Sequence, residues 1–103
     1  MNEKHEIKYS DLFYKDLSSI LNYIKYELEN TTAANRLFDE IIQEISARAY
    51  NPKSYEKYSS SIKRKDTYYR IYVKNYTIFY VVKDNVMEVR RIIYSKRNLK
   101  NMI

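Results

Sequence analysis

The 103-residue chain contains no cysteine, no glycine and no tryptophan, and only one proline and one histidine. Without cysteine there is neither a disulfide framework nor a thiolate metal site, and His5 alone cannot assemble a zinc centre. An intracellular protein with no cofactor is the expectation. No apolar run reaches the length of a membrane span, and the opening MNEKHEIKY lacks the apolar stretch of a signal peptide, which points to the cytoplasm. Few breakers, 45% hydrophobic and 31% charged residues describe a globular chain rather than a disordered one. At this length a single domain, residues 1–103, with one core is expected.

What the chain does have is charge, unevenly placed. The net charge is +6, yet residues 1–51 hold 6 Lys/Arg against 9 Asp/Glu, and residues 52–103 hold 13 against 4. The halves therefore carry about −3 and +9. Such asymmetry suits a polyanion-facing second half, although an ordinary solvated basic surface has the same composition.

The segment HEIKYS alternates, with Ile7 and Tyr9 on one side, and predicts an edge strand. Ser10 is placed to cap a helix, and Asp11 in the first turn suits its dipole. Leu12, Phe13, Leu17, Ile20, Leu21, Ile24 and Leu28 then recur at helical spacing as one buried stripe, and this helix is expected to end near Asn30. A second helix restarts with Thr32 as cap and Ala34, Leu37, Phe38, Ile41, Ile42 and Ile45 on one face. Asn51-Pro52 stops it, because the residue before a proline avoids the helical region. The short connection makes the two an antiparallel hairpin. Residues 53–66, polar, Ser-rich and basic, predict a loop with a short strand around Tyr58 to Ile62.

From Tyr68 to Asn98 the alternation is strong enough to assign a register. A two-residue turn at Lys74-Asn75, with Asn tolerating positive φ, pairs Val73 with Tyr76, Ile71 with Ile78 and Tyr69 with Tyr80. A second turn at Asp84-Asn85 pairs Val82 with Met87, Tyr80 with Val89 and Tyr76 with Ile93. One face of this meander is apolar and should lie on the hairpin: Tyr69, Ile71, Val73, Tyr76, Ile78, Tyr80, Val82, Met87, Val89 and Ile93. The other carries Arg70, Phe79 and Arg90 in one row across three strands, flanked by Tyr68, Tyr72 and Tyr94, with Ile92 and Glu88 on the same face. Arg91 falls on the core side unless a bulge at Arg90-Arg91 re-aims it, which leaves open which arginine joins the row. Cations for phosphates beside rings for bases are what single-stranded nucleic-acid binding requires, though Arg also stacks on aromatics on plain solvated sheets.

YSDLFYKDLSSILNYI, TAANRLFDEIIQEI ahead of Asn51-Pro52, YYRIYVKNYTIFYVV and the closing VRRIIYSKRN resemble, in order and spacing, the RelE/ParE superfamily of bacterial toxin-antitoxin pairs. The resemblance implies an α+β fold of β-α-α-β-β-β order, with the hairpin packed on one face of a mainly antiparallel sheet. It also implies a growth-inhibiting toxin neutralised by a cognate antitoxin, here expected to be acidic; Phe13, Tyr14, Tyr23 and Tyr26 of the hairpin either seat it or simply complete the core. RelE-like members cleave mRNA on the ribosome, and ParE-like members poison DNA gyrase. The arginine and aromatic row suits RNA and makes ribosome-dependent mRNA cleavage, by a metal-independent endoribonuclease, the expected activity. TAANRLFDEI and YSKRN are closer to the ParE-like branch, so a gyrase poison without nuclease activity is the alternative, with an inactive nucleic-acid-binding module as a third.

By position, the resemblance places Arg70 at the arginine that RelE-like nucleases use near the scissile phosphate. Tyr94, Lys96 and Arg97 fall in the segment where those enzymes hold further catalytic groups. Some of them have a His at or just before the Tyr94 position, and this chain has no His in its basic half. Metal-free RNA cleavage uses the 2′-hydroxyl as nucleophile, so a base, a phosphorane clamp and an acid are needed. Arg70 with Arg90 or Arg91 can clamp. Glu88 or a Tyr94 phenol acidified by Lys96 and Arg97 can serve as base, and Lys96 can protonate the leaving oxygen. Lys63, Arg64 and Lys65 form a basic run suited to steering a polyanion, as is any charged loop. His5, ahead of the first strand, takes no role.

Overall fold

Ser10 divides the first strand from the first helix by bonding both ways. In the computed structural model, which describes residues 4–55, 57 and 66–97, its hydroxyl donates to the Arg90 carbonyl (2.7 Å) and accepts from the Phe13 N–H (3.0 Å). Strand β1 (Glu6–Tyr9) thus ends where helix α1 (Asp11–Asn22) begins, with Asp11 in its first turn. The helix does not run on to Asn30 as an α-helix. It widens at Tyr23–Glu27 into a π-helical turn, in which the Leu28 N–H reaches back to the Tyr23 carbonyl at 3.1 Å.

Helix α2 (Thr31–Arg48) is capped by Asn30, whose side-chain oxygen accepts from the Ala33 N–H at 3.0 Å, and not by Thr32. Asn30 lies one residue before the helix begins, where a cap must stand. Pro52 opens a short 3₁₀ turn, Pro52–Ser54, after the helix has stopped. Phe13, Leu17, Leu37, Ile41 and Ile45 are buried, whereas Leu12, Leu28 and Phe38 are exposed. The contact stripe is therefore narrower than the apolar pattern, because each helix touches the sheet along one line.

Strands β2 (Tyr69–Val73), β3 (Tyr76–Lys83) and β4 (Val86–Tyr94) form the meander, and β1 joins it parallel to β4, giving the order β1-β4-β3-β2. The α+β fold and its β-α-α-β-β-β order agree with the sequence reading. The β2–β3 pairs are those expected, as are Val82–Met87 and Tyr80–Val89. Positive φ falls on Lys74 (52°) and Asp84 (54°), the first residue of each turn, rather than on the asparagines.

The register shifts between Phe79 and Tyr80: Tyr80 opposes Val89, but Phe79 opposes Arg91. Arg90 is the extra residue of a β-bulge, as the misfit of Arg91 required. Past it every β4 side chain changes face, so Tyr76 opposes Tyr94, not Ile93. Ile92 joins the helix-side core and Ile93 leaves it. The strand expected around Tyr58 to Ile62 lies outside the described residues, although Lys57 makes one bridge to Tyr69.

Candidate functional site

The bulge sets where the arginines stand. Val89 and Ile92 both point into the helix-side core, so Arg90 and Arg91 between them both leave on the outer face of the sheet, with Arg70 and Phe79. The row across three strands is Arg70–Phe79–Arg91, with Arg90 beside it.

Both β4 arginines are occupied. Arg90 donates from Nε to Glu88, and from Nη1 to Asp66 (3.1 Å) and to the Tyr68 hydroxyl (3.0 Å). Burial works against its charge, but the hydrogen bonds to Tyr68 and Glu88 outweigh that and push its pKa up. Asp66 also lies 3.7 Å from Lys83. Arg91 forks onto Asp16 of α1, with Nε 2.8 Å from Oδ2 and Nη2 3.0 Å from Oδ1. Asp16 Oδ2 accepts the Ile92 N–H as well, at 3.1 Å. The carboxylate thereby closes a stretch of β4 edge that β1, paired only with Val86–Val89, does not reach. Arg70, half-buried, lies 5.5 Å from the centroid of the Tyr72 ring.

Phe79 is 0% exposed, and Thr77, Val81 and Ile93 on the same face are buried too. The ring is part of a packed layer, so the open stacking platform expected at Phe79 does not form. Tyr94 is not on this face either. The bulge turns it to the helix side, where its ring meets Tyr76 edge-on at 5.9 Å. Lys96 and Arg97 are exposed in the turn that follows, where the Arg97 N–H bonds the Tyr94 carbonyl at 3.0 Å. The structure thus divides the expected constellation. Arg70, Phe79, Arg90 and Arg91 share the outer face, while Tyr94, Lys96 and Arg97 gather at the end of β4. Arg91, Tyr94 and Arg97 line one open cleft of about 690 Å³ with Asp16, Tyr23 and Tyr76. Lys63, Arg64 and Lys65 lie outside the described residues. Glu88, engaged with Arg90, is not an open base, and Phe13 is sealed in the core, so of the four rings expected to seat the antitoxin Tyr14, Tyr23 and Tyr26 are exposed.

By sequence, residues 7–99 match the family described as the ParE toxin of type II toxin-antitoxin systems, parDE. The chain belongs to the ParE toxin family. No curated protein matches this ParE-family chain closely by sequence. Among solved structures it resembles the chromosomal ParDE system of P. aeruginosa at 13% identity and a TM-score of 0.74, over 90% of this chain and 98% of that one. It also resembles the archaeal RelE-RelB complex from Pyrococcus horikoshii OT3 at 18% identity and a TM-score of 0.55, over 92% of this chain and 99% of that one. The RelB-RelE complex from Methanococcus jannaschii follows at 24% identity and a TM-score of 0.50, over 86% and 91%. Among the described residues of the ParE-family chain, no helix is long and apolar enough to cross a membrane.

The residues that the sequence reading of this ParE-family chain missed are Asp16 and Asp66. Asp16 stands three residues after Phe13 and four before Ile20, within the buried stripe, and an acid in such a position signals a buried partner. Asp66 carries no comparable periodic signal.

Proposed function

We propose that this ParE-family chain is a growth-inhibiting toxin held silent by a cognate acidic antitoxin, and that it acts by binding and poisoning DNA gyrase rather than by cutting mRNA on the ribosome. The observation that supports this reading is the engagement of the β4 arginines: Arg90 with Glu88 and Asp66, Arg91 with Asp16. A metal-free cleavage centre needs cations that meet the phosphorane and a carboxylate or phenol that takes the 2′-hydroxyl proton. Here the carboxylates are matched to the arginines, and Tyr94 stands on the other side of the sheet from Arg70. A poison that works by binding needs no such alignment.

The P. aeruginosa and P. horikoshii structures it resembles are of a ParDE system and a RelE-RelB complex, which supports an antitoxin as partner. The exposed Tyr14, Tyr23 and Tyr26 and the basic second half offer it a seat.

mRNA cleavage is kept as a second reading because Tyr94, Lys96 and Arg97 cluster at the end of β4. Two assays on the purified toxin separate them. Incubated with gyrase and supercoiled plasmid, it should trap cleaved DNA; added to a translating extract, it should leave mRNA intact. Ribosome-dependent cuts in mRNA, lost in Arg70→Ala, would reverse the assignment.

A further inference from the structure

We propose that the surface where α2 ends, formed by Lys4, Arg48, Lys53 and Lys57, binds the phosphate backbone of duplex DNA without regard to sequence. The contact needs neither gyrase nor the cleft at the end of β4, and so goes beyond the choice of target.

This surface lies at the far end of the sheet from Tyr94. Glu6 pairs with Val86, the first residue of β4, and the His5 N–H just before it donates to the Ala49 carbonyl at 2.8 Å, which sets the end of α2 beside the start of β4. The end of a helix ordinarily repels anions, because its last carbonyls are unpaired and carry the negative pole of the dipole. Here they are taken. Besides that of Ala49, the Arg48 carbonyl accepts the Asn51 N–H at 3.2 Å and the Asn51 carbonyl the Ser54 N–H at 3.1 Å. The Pro52 carbonyl accepts the Tyr80 hydroxyl.

The cations around these capped carbonyls differ from those of β4. Arg90 and Arg91 are matched to carboxylates, whereas Lys4, Arg48, Lys53 and Lys57 make no ion pair with any described residue. Two of them rest on rings instead: the Arg48 guanidinium lies 4.1 Å from the centroid of Tyr55, and Lys4 Nζ 5.9 Å from that of Tyr50. A ring face fixes a cation without neutralising it, so the charge stays open to a ligand. Arg48 Nε, shut off from water, has no acceptor among the described residues, while Lys4, Lys53 and Lys57 are exposed.

The ring faces engaged in this way are closed to bases, which favours a phosphate backbone over a stacked single strand. An acidic peptide would dock through apolar anchors or an added strand besides its charges, and the two tyrosines that could anchor it already carry cations. Duplex DNA, with one charge per about 1.7 Å of axis, meets several exposed cations at once.

The test is fluorescence anisotropy of the full chain with a labelled duplex of mixed sequence, read as log K against log salt. Lys53→Ala and Lys57→Ala, both at exposed positions, should each lower the slope by about 0.9, the share of one phosphate contact on B-DNA. Lys15→Ala on α1 and Arg97→Ala beyond β4, exposed cations elsewhere, should leave it unchanged. A duplex of unrelated sequence should bind equally well. Absence of duplex binding, an unchanged slope in both lysine variants, or an equal fall in Arg97→Ala would overturn the proposal. So would tighter binding of oligothymidylate or of polyglutamate, which would assign the surface to a single strand or to an acidic peptide. Circular dichroism checks each fold, and Lys53→Gln or Lys57→Gln replaces an alanine variant that does not fold.

Discussion

On the helix side of the sheet, Ile71, Ile78, Tyr80, Met87 and Val89 are sealed against Phe13, Leu17, Leu37, Ile41 and Ile45, an interface of side chains with almost nothing polar in it. On the outer side Thr77, Phe79, Val81 and Ile93 are equally buried, but half-buried arginines held by carboxylates stand around them. A polar handle of the first interface is the Tyr80 hydroxyl, which donates to the Pro52 carbonyl at 2.7 Å. The second interface is ringed by ion pairs. One sheet therefore combines two ways of removing apolar surface from water, and the second sets half-buried arginines around the apolar layer itself.

The largest effect should come from cutting into each layer. Ile78→Ala should cost about 2–5 kcal/mol and Phe79→Ala about 3–5 kcal/mol in urea unfolding, because both side chains are wholly enclosed. A nearly neutral Phe79→Ala would show that the outer face is no packed layer. Asp16→Ala should cost about 2–3 kcal/mol in thermal unfolding, since it leaves the Arg91 guanidinium and the Ile92 N–H, both largely withdrawn from water, without their acceptor.

A smaller effect should follow pH. Burial, above all, raises the Tyr80 phenol, and burial also raises those of Tyr76 and Tyr9. The unfolded chain then ionises first, so the stability these groups contribute is complete below a pH of about 10 and is lost as pH rises above it. Melting curves taken across that range should show the decline, and Tyr80→Phe should flatten it. Smallest is Tyr26→Ala on the hairpin surface, expected within about 0.5 kcal/mol of the parent in stability. It should nonetheless weaken antitoxin binding in calorimetry, and an unchanged affinity would remove that ring from the seat.

Much of this was legible in the chain. The Ser10 cap, the β2–β3 register and the need for a bulge near Arg90 follow from period and pairing, which are local rules. The faces of Ile92, Ile93 and Tyr94 were not, because one extra residue reverses every position after it. Phe79 deceived for another reason: alternation tells which face a residue is on, not whether that face is covered. The Asp16–Arg91 fork joins residues 75 positions apart, and no local period connects them.

The parallel pairing of β1 with β4 bears on how the toxin comes into being. Ser10 and Arg90, which meet where these strands meet, are 80 residues apart in the chain. On the ribosome, at about 5–20 residues per second, the first strand waits several seconds for its neighbour to be made. Helices form from local contacts in that interval, but the sheet cannot close, nor can the cleft at the end of β4 exist. A nascent copy therefore lacks its complete sheet until β4 has been made, and an antitoxin already present has that delay in which to be waiting.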